Sequence, residues 1–146
     1  ALACDFIIAA DTATFGLPEI ALGVFPPAAS VLLPLRAGAS RSTSAILSGD
    51  SRPAAYWQTL GVVETVLTAA DLSAGVDDWY GRTFERRSAE ALRHAARAAR
   101  VPVLEAVTER LPSVEQLYLQ DLMRSQDADE GMRAFLEKRQ PEWKDK

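Results

Sequence analysis

Apolar runs dominate the first half of the chain, and helix-period patterns dominate the second. Residues 2–10 are apolar except around Asp5 and end at Ala10-Asp11-Thr12, which predicts a buried strand. Residues 13–16 predict a second, short strand. Residues 26–38 predict a turn and an apolar segment broken at Pro34. Ser40 is placed to cap a helix through Leu47 that Gly49 ends. Ser51 or Arg52, followed by Pro53, starts another helix through about Leu60, closed by Gly61. The β-branched run 62–67 predicts a strand.

Beyond residue 70 the pattern turns helical. An amphipathic helix is expected over 71–86, with Gly75 and Gly81 as weak points. Ser88 is placed to cap a helix to Arg100 whose Ala91, Leu92, Ala95, Ala96 and Ala99 share one face. Pro102 opens a short helix ending near Arg110. Pro112-Ser113 opens a longer one, in which Val114, Leu117, Tyr118 and Leu122 recur at helical spacing as core or subunit interface. Asp127 and Glu130, three apart, have the spacing of a capping box for a terminal helix carrying Met132, Phe135 and Leu136.

Composition narrows the class. With 146 residues and 48% hydrophobic content, the chain reads as one soluble globular domain or a piece of one. It has no apolar run long enough for a membrane span and no basic leader, so a cytoplasmic protein is expected. The lone cysteine, Cys4, fits a reducing compartment and reads as core filler rather than nucleophile. A net charge of −4 argues against nucleic acid as the main partner. Basic residues gather at Arg82–Arg100 and again at Lys138, Arg139, Lys144 and Lys146; such runs usually form solvated helix faces. His94 reads as a surface residue. Trp57, Trp79 and Trp143 read as members of separate helices without cage-like spacing. No metal-ligand cluster, P-loop or dinucleotide fingerprint is seen.

The candidate chemistry centres on Glu19, a single carboxylate in an uncharged run from Thr14 to Pro27. An unpaired buried charge is costly, so this group is either paired or lines a cleft. A carboxyl group in an apolar cleft holds its proton more tightly, which suits general acid–base work. A carboxylate stabilising the start of a short helix at 20–22 is the other reading.

Four landmarks, in order, carry a resemblance. Residues 1–23 read A-L-A-C-D-F-I-I-A-A-D-T-A-T-F-G-L-P-E-I-A-L-G; Leu47-Ser48-Gly49-Asp50 and Gly61-Val62-Val63 follow. Residues 127–141 then read D-A-D-E-G-M-R-A-F-L-E-K-R-Q-P. Together they resemble the crotonase (enoyl-CoA hydratase/isomerase) superfamily over nearly the whole chain. The segment Phe25-Pro26-Pro27-Ala28-Ala29-Ser30 replaces the Gly-rich turn of most hydratases. It is similar to that of the cyclohexa-1,5-diene-1-carbonyl-CoA hydratases of anaerobic aromatic degradation. Pro27 has no N–H, so it cannot donate the hydrogen bond that a glycine at that place would offer a catalytic water.

The resemblance implies an α/β (α+β) fold, the C-terminal portion of the ββα crotonase spiral followed by a helical trimerisation region. Residues 1–68 would belong to the spiral core with Glu19, and 69–146 to the helical CoA-binding and oligomerisation part. It implies a lyase that adds water to an unsaturated acyl-CoA, most closely a cyclic dienoyl-CoA. A generic enoyl-CoA hydratase or isomerase is the rival enzyme, and an inactive fragment or non-catalytic partner subunit is the reading of another class. Glu19 would move the proton. Leu22, Phe25, Pro27 and Ala28 would wall the acyl pocket, with plain core as the alternative for each. Phe135 and Lys138, on one face of the terminal helix, would meet the adenine ring and 3′-phosphate of CoA; core and solvated tail are their alternatives. Coenzyme A enters as part of the substrate, with no separate cofactor and no metal, in a trimer or dimer of trimers. The family's oxyanion-hole donors lie upstream of Ala1, so the 146-residue chain alone is expected to be catalytically silent.

Overall fold

A computed structural model describes residues 1–145 and resolves the chain into two compact units, each assembled from two separate stretches. The first comprises 1–15 and 52–105. Here β1 (Ile8–Ala10) pairs in parallel with β4 (Thr65–Leu67), in the register Ile8↔Thr65 to Ala10↔Leu67. The short β2 (Thr14–Phe15) pairs antiparallel with β3 (Arg52–Pro53), and α3 (Ala54–Thr59) follows directly. Trp57 of α3 is buried, and its indole N–H donates to the Phe15 carbonyl at 3.1 Å. Helix α4 (Leu72–Tyr80) runs into a π-helical turn at Gly81–Glu85, and α5 (Ala89–Ala99) and α6 (Val101–Glu105) complete the unit.

Three expectations for this unit change. The apolar run 2–10 forms a strand over its last three residues alone. Ahead of them, Phe6 turns into an aromatic cluster, 5.1 Å from the Trp79 ring and 5.7 Å from Phe84, while Asp5 pairs with Arg100. Those side-chain partners outweigh strand propensity, which is a weak preference of about 1 kcal/mol at most. Cys4 lies in this turn and is exposed, so it is not core filler. The helix expected from Ser51 or Arg52 starts later, because Arg52 and Pro53 are held by β2.

The second unit comprises 16–51 and 106–146. A 3₁₀ turn, Pro18–Leu22, leads through Gly23 to α1 (Pro27–Ala37), then to α2 (Ala39–Ser48). Residues Ala106–Arg110 form a π-helical turn, followed by α7 (Leu111–Gln116), a second π-helical turn (Leu117–Asp121) and a 3₁₀ turn (Leu122–Arg124). Helix α8 (Gln126–Glu137) closes the unit. Its core is Val24, Ala29, Val31, Leu33, Ala106, Ala128 and Ala134.

Here too the outcome departs from the local signals. Pro34 sits inside α1 rather than breaking the segment. An interior proline costs about 3 kcal/mol, and burying Val31 and Leu33 offsets it at about 1.5–3 kcal/mol each. Gly38, at φ 74°, separates α1 from α2 and takes the place expected of Ser40; the buried Ser42 hydroxyl donates to its carbonyl at 2.7 Å. Ser125, not Asp127, caps α8, accepting from Ala128 N–H at 3.1 Å. Trp143 lies in the irregular tail beyond α8 and not in a helix. Elsewhere the local signals hold: Ser88 accepts from Ala91 N–H, Gly49 ends α2 at φ 67°, and His94 is exposed beside Glu90.

Candidate functional site

The site is built around the 3₁₀ turn of the second unit. Pro18 sets its first residue, and Gly23, at φ 70°, reverses the chain after it, in a conformation that disfavours any residue with a Cβ. Gly23 N–H donates to the Ile20 carbonyl at 3.1 Å and Val24 N–H to the Glu19 carbonyl at 3.2 Å. Glu19 projects from this turn. Its Oε2 is buried and has no hydrogen-bond partner among the described residues. Leaving such an atom unsatisfied costs about 1–3 kcal/mol, more for a charged group.

Glycines let two other elements approach the turn at backbone distance. At the end of α2, a Cβ on Gly49 would lie 2.8 Å from Ile20 Cγ2 and 3.4 Å from the Leu17 carbonyl oxygen. On α8, a Cβ on Gly131 would lie 2.1 Å from the Leu22 carbonyl oxygen, and one on Gly23 would lie 2.8 Å from that of Asp127. The Trp143 ring reaches both of the latter positions, with Cζ3 3.0 Å from the Gly23 Cβ position and Cη2 3.1 Å from that of Gly131. The turn that carries Glu19 is thus held from both sides.

The expected pocket residues follow Glu19 closely in the chain. Leu22 ends the same turn and is half-buried. Phe25 is half-buried, edge-on to Tyr118 with ring centroids 5.5 Å apart. Pro27 and Ala28 open α1, Pro27 half-buried and Ala28 exposed. A first-turn proline is well placed there, since its missing N–H has no intrahelical acceptor to satisfy.

At the other end of the unit, Phe135 lies on α8 with 65% of its surface exposed. Lys138 does not share its helical face: it is the C-terminal cap of α8, at φ 56°, where the chain turns back on itself. Three-residue spacing implies a common face only while the helix continues, and this one ends at Glu137. Beyond Lys138, Arg139 pairs with Glu130 and Glu137. Glu130 also accepts from Glu142 N–H at 3.0 Å; hydrogen bonding to Arg139 and to that amide holds its carboxyl down at about 2.

Asp127, Gly131 and Trp143 were missed as parts of this site. Asp127 and Gly131 lie in the tail motif, but their spacing also fits a helix start, and Trp143 falls two residues beyond the motif. In the first unit, a groove of about 520 Å³ is lined by Asp77, Asp78, Gly81, Arg82, Glu85 and Arg86, a charged surface unsuited to an apolar acyl group.

Comparison with known proteins gives the family of the chain. The sequence pattern of the family described as enoyl-CoA hydratase/isomerase matches residues 1–146. The chain is 42% identical over 146 residues to cyclohexa-1,5-dienecarbonyl-CoA hydratase of Thauera aromatica, covering 100% of this chain and 56% of that protein. It is 36% identical over 145 residues to 2,3-dehydroadipyl-CoA hydratase of Escherichia coli K12, covering 99% of this chain and 56% of the relative. Among solved structures, carnitinyl-CoA hydratase from Mycobacterium avium superposes with a TM-score of 0.85 at 25% identity, over 99% of this chain and 56% of that one. The chain therefore spans a little over half the length of the relatives it matches. It belongs to the enoyl-CoA hydratase/isomerase family and has the α/β crotonase fold.

Proposed function

We propose that the protein is an acyl-CoA hydratase in which Glu19 carries the proton. The observation that carries this reading is the buried, unpartnered Oε2 of Glu19 on a turn fixed from two sides. Hydration forms one C–O bond and one C–H bond across a carbon–carbon double bond. The Glu19 carboxylate takes a proton from water as the water oxygen bonds to the acyl chain, and the carboxyl group returns a proton to carbon. A rigid mount keeps that group in line with both partners, so little orientation is lost at the moment of reaction.

The substrate is a cyclic dienoyl-CoA. Supporting this are the Phe25-Pro26-Pro27 segment and the 42% identity to a cyclohexadienecarbonyl-CoA hydratase. Leu22, Phe25, Pro27 and Ala28 wall the acyl group; Phe135 takes the adenine and Lys138 the 3′-phosphate of CoA. Residues 1–68 serve as spiral core and 69–146 as the CoA-binding and oligomerising part of a cytoplasmic homo-oligomer. Among the described residues, no helix is long and apolar enough to cross a membrane. The backbone donors for the thioester oxygen come from outside these residues, so a polypeptide of the 146 residues alone is silent.

The test is Glu19→Gln in the full-length protein, assayed with cyclic dienoyl-CoA and linear crotonyl-CoA thioesters. The turnover number is expected to fall by about 10²–10⁴-fold with little change in KM. Full activity of the variant removes Glu19 from the chemistry. Faster wild-type turnover of the linear thioester overturns the cyclic substrate in favour of a generic enoyl-CoA hydratase. No turnover of any thioester by the full-length wild type favours a non-catalytic subunit.

A further inference from the structure

The residues after α8 fold back onto it. Both oxygens of the Asp127 carboxylate accept backbone N–H groups from this tail, Lys144 at 2.7 Å and Asp145 at 2.8 Å. Glu130 accepts that of Glu142 at 3.0 Å. Three of the four residues 142–145 are therefore tied by their backbones to the first two turns of α8. The fourth, Trp143, is aimed by those ties, and its ring lies against Gly23 and Gly131 together. These are the glycines at which α8 meets the Glu19 turn. Trp143 stays 44% exposed, so only the inner edge of its ring is packed; that edge covers the point where the two backbones touch and limits how far the turn can shift.

We propose that the strap 142–145 is a positioning element for the Glu19 turn, with Trp143 as its wedge and Asp127 as its anchor. This rests on the reading of Glu19 as the proton carrier. Trp143 does not touch the reacting atoms; it acts through Gly23 and the Leu22–Gly131 contact. Losing the ring opens space beside Gly23, frees the turn, and loosens the alignment of the carboxyl group.

The experiment compares Trp143→Ala, Trp143→Phe, Asp127→Asn and the exposed-pair control Arg133→Ala in the full-length protein. Hydrogen exchange at the Gly23 and Val24 amides is read beside kcat and KM. In Trp143→Ala, exchange at both amides should accelerate about 10-fold or more. The turnover number should fall about 10-fold while KM stays within about 2-fold, as for a misplaced rather than lost catalytic group. Trp143→Phe should recover most of both effects, and Arg133→Ala should show neither. Asp127→Asn should reproduce the Trp143→Ala pattern while keeping the ring, so the result stands even if Trp143→Ala folds poorly. Unchanged exchange and turnover in folded Trp143→Ala and Asp127→Asn overturns the strap. Glu19→Gln separates the two ideas: if it keeps full activity, the hydratase reading fails, while the exchange data still judge the strap.

Discussion

Helix α5 and the Glu19 turn are opposite ways of making local structure. Helix α5 has the signals a free helix needs: Ser88 as cap, Glu90 in the first turn, Arg97 in the last, and Glu90 contacts to Arg93 and His94. Yet no residue of it is fully buried. The Glu19 turn has no side-chain cap and no fully buried residue either, but neighbouring backbones press on it at three glycines. The first element is written in its own residues and can fray independently. The second exists because α2, α8 and the tail surround it. The proposed role of Glu19 requires a carboxyl group held in fixed orientation, and contact from several elements restrains the turn more than local propensity can.

The largest effect is expected from Gly131→Ala. Helix propensity alone favours alanine by about 1 kcal/mol. The new carbon, however, would sit 2.1 Å from the Leu22 carbonyl oxygen, a backbone atom that cannot rotate away. Overpacking of about 1–3 kcal/mol or more should dominate, lowering the denaturation midpoint and the turnover number together. A midpoint that stays put or rises would show that the turn tolerates displacement.

Ser88→Ala tests the other side. Loss of the cap should cost about 1 kcal/mol of helix stability, visible as faster exchange across 89–99, with kcat untouched. A fall in kcat would mean that α5 is coupled to the chemistry after all.

The smallest effect is an acid titration of the tail. Glu130 is held at about 2 in the folded chain, against an ordinary 4.5, chiefly by hydrogen bonding to Arg139 and next by the Glu142 amide. A depressed folded-state value contributes stability that is fully present above the unfolded value. It is lost as pH falls from about 4.5 through about 2. Glu130→Gln should flatten that part of the stability–pH curve. The Arg139 side chain is 37% exposed and that of Glu130 19%, so water and salt reach the pair from one side and the difference is small and shrinks further in salt. An unaltered curve would show that the pair does not secure the tail.

Much of this protein was readable from its residues. Glu19 stood out as one charge in an apolar run, Ser88 and Gly49 marked helix ends, and 71–86 followed a helical period. Those features are local: a cap, a positive φ or a periodicity is decided within a few residues. Other outcomes depended on partners far along the chain. Phe6 left its strand for Trp79 and Phe84, and Cys4 was exposed with that turn. Pro34 stayed helical because Val31 and Leu33 are buried. Asp127 and Glu130, spaced like a capping box, instead hold residues 142–145, so Trp143 packs on Gly23 and Gly131.

The residue motifs alone identify the family and single out the carboxylate, because a motif preserves chemistry at fixed spacing. That Oε2 is buried with no partner among the described residues, and that α8 and its tail brace the turn beneath it, follows from folding. Burial and close approach arise when segments more than a hundred residues apart meet, and no window along the chain contains both sides of that contact.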